Sequence, residues 1–196
     1  MASRIRSLLR RPDRRRAFAT VDELLAATRK QLEAVEPGST SADILRGQLA
    51  GAEWEQAGLP RDRSQGSPKF RAGHLSGRLH VHLIRTLGAL SWDLVLPTAA
   101  YAAALVTPPA ERYLEEATQE NLLKTHGYAY IRAEPRGDLP ADVELELFRW
   151  LAADQSIPVT PDLLSRFQDW RQRRLDLLTR WDAERSADAE AKQQGS

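Results

Sequence analysis

Four histidines, His74, His80, His82 and His126, are the side chains best suited to holding a metal or moving a proton near neutral pH. A zinc centre needs three or four converging ligands. The chain has no cysteine, and no acid stands at motif spacing from these histidines. His80 and His82 share a face on a strand and diverge on a helix, so their alternation alone gathers no ligand set. Asp93 and the neighbouring Glu115 and Glu116 could serve as general acids or bases, but nothing in the sequence pairs them with an orienting group. The sequence contains neither a glycine-rich phosphate loop nor a Gly-x-Ser-x-Gly elbow, and Arg136-Gly137-Asp138 reads as a turn. No catalytic, cofactor-binding or metal-binding residue is therefore assigned, and a non-enzymatic protein is expected, with an enzyme whose site the sequence does not display as the alternative.

Chemistry of another kind is concentrated at the start. Residues 1–16 hold Arg4, Arg6, Arg10, Arg11, Arg14, Arg15 and Arg16 against the single acid Asp13, in a chain whose formal charge is only +1. Residues 61–85 repeat the bias with six bases, among them Arg61, Arg63, Lys69 and Arg71, against one acid. Residues 111–147 reverse it with nine acids against four bases. Such polarised charge suits docking on nucleic acid, anionic lipid or an acidic protein face. Of the 28 cationic residues only four are lysine. Arginine grips phosphate and carboxylate as a rigid fork.

These side chains need elements to position them, and helical periodicity dominates. Thr20-Val21-Asp22-Glu23 has the form of a capping box, opening a helix to about Glu36 that Pro37-Gly38 stops. A second helix opens near Ser41 and closes at Gly58 and Pro60, with Gly47 and Gly51 four apart on one side, a spacing that admits another helix closely. Leu79, Leu83, Leu87 and Leu90 recur at helical spacing. The apolar stretch 87–106 reads as a buried helical hairpin, because Asp93 and Pro97 interrupt it as a membrane span. A further helix is expected over 110–125, a short strand over 128–132 whose sole candidate partner is 79–83, and a helix from Asp138-Pro140 to about Asp154.

The last helix is the best defined. Thr160-Pro161-Asp162 supplies a cap, a first-turn proline and an acid at the positive helix end, and the helix should reach about Arg185. Asp162 and Arg166, Asp169 and Arg173, and Asp176 and Arg180 stand four apart and recur every seven residues. Leu163, Phe167, Trp170, Leu177 and Trp181, with Arg174 as the one polar step, form a seam that packs either on the chain's own domain or along a partner helix, in which the arginine favours a particular register or an acidic partner. Residues 151–167 also have a helix-turn-helix character, in which Ser165, Arg166, Asp169 and Arg173 would face a major groove. The charge balance there leaves phosphate attraction to the N-terminal arm.

The chain is thus expected to be mostly α: a bundle-like main domain with a long C-terminal helix, at most one short β hairpin and a disordered basic N-terminus. The divisions are a basic arm (1–19), a two-helix unit (20–59), a basic linker (60–73), a helical main domain (74–185) and a disordered tail (186–196). The expected function is an interaction, assembly or regulatory subunit acting through the arm and the seam, with another protein or a second copy as partner. Nucleic-acid binding through the arm and linker is the alternative, and an organellar or membrane-surface subunit a third. No transmembrane span is expected. The expected compartment is the cytoplasm, or alternatively the mitochondrial matrix after removal of a presequence ending near Phe18.

Overall fold

The computed structural model describes residues 16–60, 65–106, 121 and 139–194. Within them the chain is mostly helical, with a short strand pair and a long C-terminal helix. Strand β1 (Arg16–Phe18) leads into α1 (Val21–Ala34). The capping box forms as the sequence predicts: Glu23 N–H donates to Thr20 Oγ1 at 3.2 Å, and the Glu23 carboxylate accepts from the Ala19 and Thr20 amides. Helix α2 (Thr40–Gln56) is capped by Ser39 rather than Ser41. It runs antiparallel to α1, with Arg29 bonding Glu53 at 2.8 Å and Gln56 bonding Asp22 at 3.3 Å.

Helix α3 (Pro68–Leu87) starts six residues inside the stretch expected as linker. Ser67 caps it by accepting from the Phe70 amide at 3.1 Å, and Pro68 occupies a first-turn position where no amide is missed. Contacts between α2 and α3 rise together along both helices. Lys69 reaches Thr40, Gly73 meets Ile44, Gly77 meets Gln48, and Arg85 donates to the Glu55 and Gln56 carbonyls at 2.9 and 3.0 Å. The two helices are therefore parallel.

The close approach anticipated for Gly47 and Gly51 is made by α3, which brings its own pair, Gly73 and Gly77. A methyl at Gly51 would stand 2.7 Å from the His74 carbonyl carbon, and one at Gly77 would stand 2.8 Å from that of Gln48. Backbone thus meets backbone, and the two-helix unit is continuous with the body.

Gly88, at φ 81°, caps α3 through its amide on the Ile84 carbonyl at 2.8 Å. Strand β2 (Leu90–Ser91) and α4 (Trp92–Val106) follow, in place of a helical hairpin over 87–106. Leu90 pairs antiparallel with Phe18 and Ser91 with Arg16. This pair joins residues more than seventy positions apart, so it is a ribbon and not a hairpin. Phe18 is buried in the core, which ties the end of the expected arm into the fold. Residues 79–83, the candidate strand partner, are helical in α3. The strand expected at 128–132 lies outside the described residues, as does the helix over 110–125 apart from Asn121, which is helical.

Helix α5 (Ala141–Asp154) buries Val143, Leu147, Phe148 and Leu151 against α4. Helix α6 (Pro161–Gln194) runs nine residues past the expected end and through most of the expected tail. Its last turns hold Ala183, Ala187, Ala189 and Ala191, and no glycine or proline interrupts before Gly195. At about 1.5 Å per residue it is ~51 Å long. No helix among the described residues is long and apolar enough to cross a membrane.

Candidate functional site

The seam of α6 faces the chain's own core. Leu163, Phe167 and Trp170 join one aromatic cluster with Tyr101 of α4 and Phe148 of α5. Ring centroids lie 5.1 Å apart for Tyr101–Phe167 and 4.8 Å for Phe148–Phe167. Leu177 is buried as well, and Trp181 is half-buried. Of the two packings the sequence left open, own domain or partner helix, the described contacts of these residues are with the chain's own α4 and α5. An apolar stripe of that length lowers its free energy at the first apolar surface it meets, and α4 and α5 supply one within the same chain.

Arg174 does find an acidic partner, again within the chain. Its Nη2 donates to Glu144 Oε1 at 2.6 Å, Arg171 Nε donates to Glu144 Oε2 at 3.0 Å, and the Tyr101 hydroxyl donates to that same oxygen at 2.7 Å. Glu144 is 2% exposed and Arg174 is 3% exposed, and the Arg174 guanidinium lies 5.3 Å over the Tyr101 ring. One carboxylate therefore serves two guanidinium groups and a phenol, and three helices are pinned at a single point. Burial, reinforced by Glu144 and opposed by Arg174, holds the Tyr101 phenol protonated well above the usual range. Burial alone would depress Arg174, but Tyr101 and Glu144 outweigh it and keep the guanidinium charged. Such a knot holds geometry and charge.

Sequence reasoning found Arg174 and missed Glu144, Tyr101 and Arg171. The signal was present: Glu144 stands in the apolar stripe 144, 147, 148, 151, so an acid on one buried face answered a base on another.

Three of the four histidines, His74, His80 and His82, are dispersed along α3. His74 lies between Trp54 and Phe70, with ring centroids 6.0 and 6.3 Å away. Burial and then Arg78 push its pKa down. His80 is wholly buried, 3.4 Å from the Ser76 hydroxyl. His82 is half-buried and packs on Trp150 at 4.7 Å, and His126 lies outside the described residues. Ser76 and His80 have the residue types of a nucleophile and base, but both are 0% exposed, where no substrate reaches them. Among the described residues no three His, Asp or Glu side chains are grouped to hold a metal.

Of the arginine-rich set, Arg4, Arg6, Arg10, Arg11, Arg14, Arg15, Arg61 and Arg63 lie outside the described residues, and Arg16 belongs to β1. Lys69 and Arg71 are half-buried in the first turns of α3. The Lys69 ammonium donates to Thr40 Oγ1 at 2.7 Å, so it serves the α2–α3 contact rather than an open linker. The outer face of α6 is solvent-facing: Asp162, Ser165, Asp169, Arg173, Asp176 and Arg180 are exposed, and Arg166 lies half-buried 4.9 Å over the Trp170 ring.

Comparison with protein-family models, with curated proteins and with solved structures finds no match. Fold and geometry together define a helical bundle knotted at Glu144, whose longest helix carries a charged outer face and an exposed end.

Proposed function

We propose that this chain is a non-enzymatic interaction or assembly subunit that docks through its arginine-rich N-terminal residues and the outward parts of α6. The observation that carries the reading is the division of labour along α6. Leu163 to Leu178 fasten one face to the body, whereas every position from Ala183 to Ala191 is exposed. About three turns of helix held clear of a core have little folding value, because isolated helices of that length are marginal in water. They are well placed to meet another molecule. The opposite signs of the arm and of residues 111–147 suit docking surfaces that choose partners by charge. The partner is a protein, and the cytoplasm is the compartment proposed with it.

A second reading, nucleic-acid binding, draws on the exposure of Ser165, Asp169 and Arg173 at the start of α6, following α5 and a turn. Asp169 in the middle of that face repels phosphate, so the arm would have to supply the affinity.

One experiment separates the two. The intact chain and a chain lacking residues 1–15 are isolated from native cells at about 0.15 M salt, with and without nuclease. A stoichiometric protein species that survives nuclease and is lost with the arm is the expected result. Retention that vanishes with nuclease replaces the protein-docking reading with the nucleic-acid one. Retention indifferent to the arm overturns both.

A further inference from the structure

The charged stripe on the outside of α6 has a property that its pairing within the helix does not require. At about 100° per residue, Asp162, Arg166, Asp169, Arg173, Asp176 and Arg180 fall within roughly 40° of one line along the helix. Their spacings are four, three, four, three and four, the same in both directions. Read backwards, the order of signs is inverted. A second α6 laid antiparallel about a twofold axis at residue 171 therefore sets Asp162 against Arg180, Arg166 against Asp176 and Asp169 against Arg173, with the same pairs repeated beyond the axis. No aspartate meets an aspartate and no arginine meets an arginine. An isologous interface demands this kind of self-complementarity.

We propose that the outer face of α6 is a homodimer contact, in which two copies pair antiparallel through this stripe. The proposal rests on the assembly reading above and adds to the protein held by the arm a second partner held by α6 alone, another copy of this chain. The stripe spans ~27 Å and is open to solvent, with Asp162, Asp169, Arg173, Asp176 and Arg180 exposed. Among their contacts within the helix, Arg166 lies over the Trp170 ring and Asp176 accepts from Gln172 at 2.8 Å. A contact this narrow and charged falls below the size of a permanent interface, so the dimer is weak and sensitive to salt.

The test is sedimentation velocity of the intact chain at about 50 mM and about 500 mM salt. The wild type associates at low salt, and its dissociation constant rises on the order of tenfold or more at high salt. The triple variant Arg166→Asp, Arg173→Asp, Arg180→Asp and the triple variant Asp162→Arg, Asp169→Arg, Asp176→Arg are each monomeric alone, and they associate when mixed. A sixfold variant exchanging both sets restores the alternation within each helix. It self-associates, and circular dichroism verifies its helix should either triple variant fail to fold. A wild type that stays monomeric at low salt up to about millimolar concentration overturns the proposal. So do triple variants that associate alone as well as the wild type. Deleting residues 1–15 leaves the dimer intact; a dimer lost with the arm belongs to the arm and also overturns the proposal. Docking through the arm is measured separately and survives or fails on its own.

Discussion

Replacing Gly51 by alanine tests the packing of α2 on α3 with a single methyl group. That methyl would stand 2.7 Å from the His74 carbonyl carbon and 2.8 Å from its Cα, where side-chain carbons do not approach closer than about 3.0 Å. The obstacle is backbone, which cannot rotate aside as a side chain can, so the helices must separate by on the order of 1 Å. A gap of that size forfeits roughly a quarter to a half of the dispersion energy of each contact along the line. Overpacking of this kind costs about 1–3 kcal/mol, with the upper end expected because the contact is reciprocal at Gly73 and Gly77. Against it stands a gain of about 1 kcal/mol in helix propensity. The expected net loss is about 2 kcal/mol, or roughly 4–8 °C in melting temperature for a chain of this size. Urea unfolding followed by far-ultraviolet circular dichroism and by tryptophan fluorescence measures it, since Trp54 reports from the contact with His74. Gly38→Ala is the reference: its φ of 85° strains alanine, but the added methyl meets nothing within 4 Å. A Gly51→Ala protein as stable as the wild type, or more so, refutes the reasoning.

Three further outcomes follow from the same structure. Glu144→Gln leaves the Arg174 guanidinium in the interior without a countercharge and should cost about 3–5 kcal/mol in urea unfolding. A loss under 1 kcal/mol would show that the knot is more hydrated than its burial implies. His74 has a folded pKa below its ordinary value, so below about pH 6.5 the unfolded chain takes up a proton that the folded chain does not. Stability should therefore fall with pH below about 6.5 and level off once the folded-state His74 also titrates. His74→Asn should remove that part of the pH profile, and an unchanged profile would contradict the assignment. Removing residues 183–196 should leave the melting temperature within about 1 °C, because every position from Ala183 to Ala191 is exposed. A larger drop would mean that the end of α6 supports the body.

Much of this fold was legible because local chemistry decided it. The Thr20–Glu23 box and the Thr160–Pro161 start both act within a few residues, and the structure keeps them. What escaped the sequence was set over long range. β1 forms because Phe18 finds Leu90, and neither residue signals a strand by itself. The linker boundary moved to Pro68 because α3 gains backbone contact with α2 along both glycine pairs, a gain that no window around residues 60–73 contains. The seam of α6 was correctly seen as a packing face, but whether it meets another chain or its own depends on where α4 and α5 stand. Arg174 pointed to an acid, and only the topology could say that the acid was Glu144.

Hydrogen exchange along α6, in the free chain at low concentration and again in the isolated complex, tests the central claim most directly. The account predicts strong protection from Leu163 to Leu178 in both samples. From Ala183 to Gln194 it predicts fast exchange in the free chain that slows in the complex. Equal protection along the whole helix in the free chain, or no change at its end on assembly, would contradict the account.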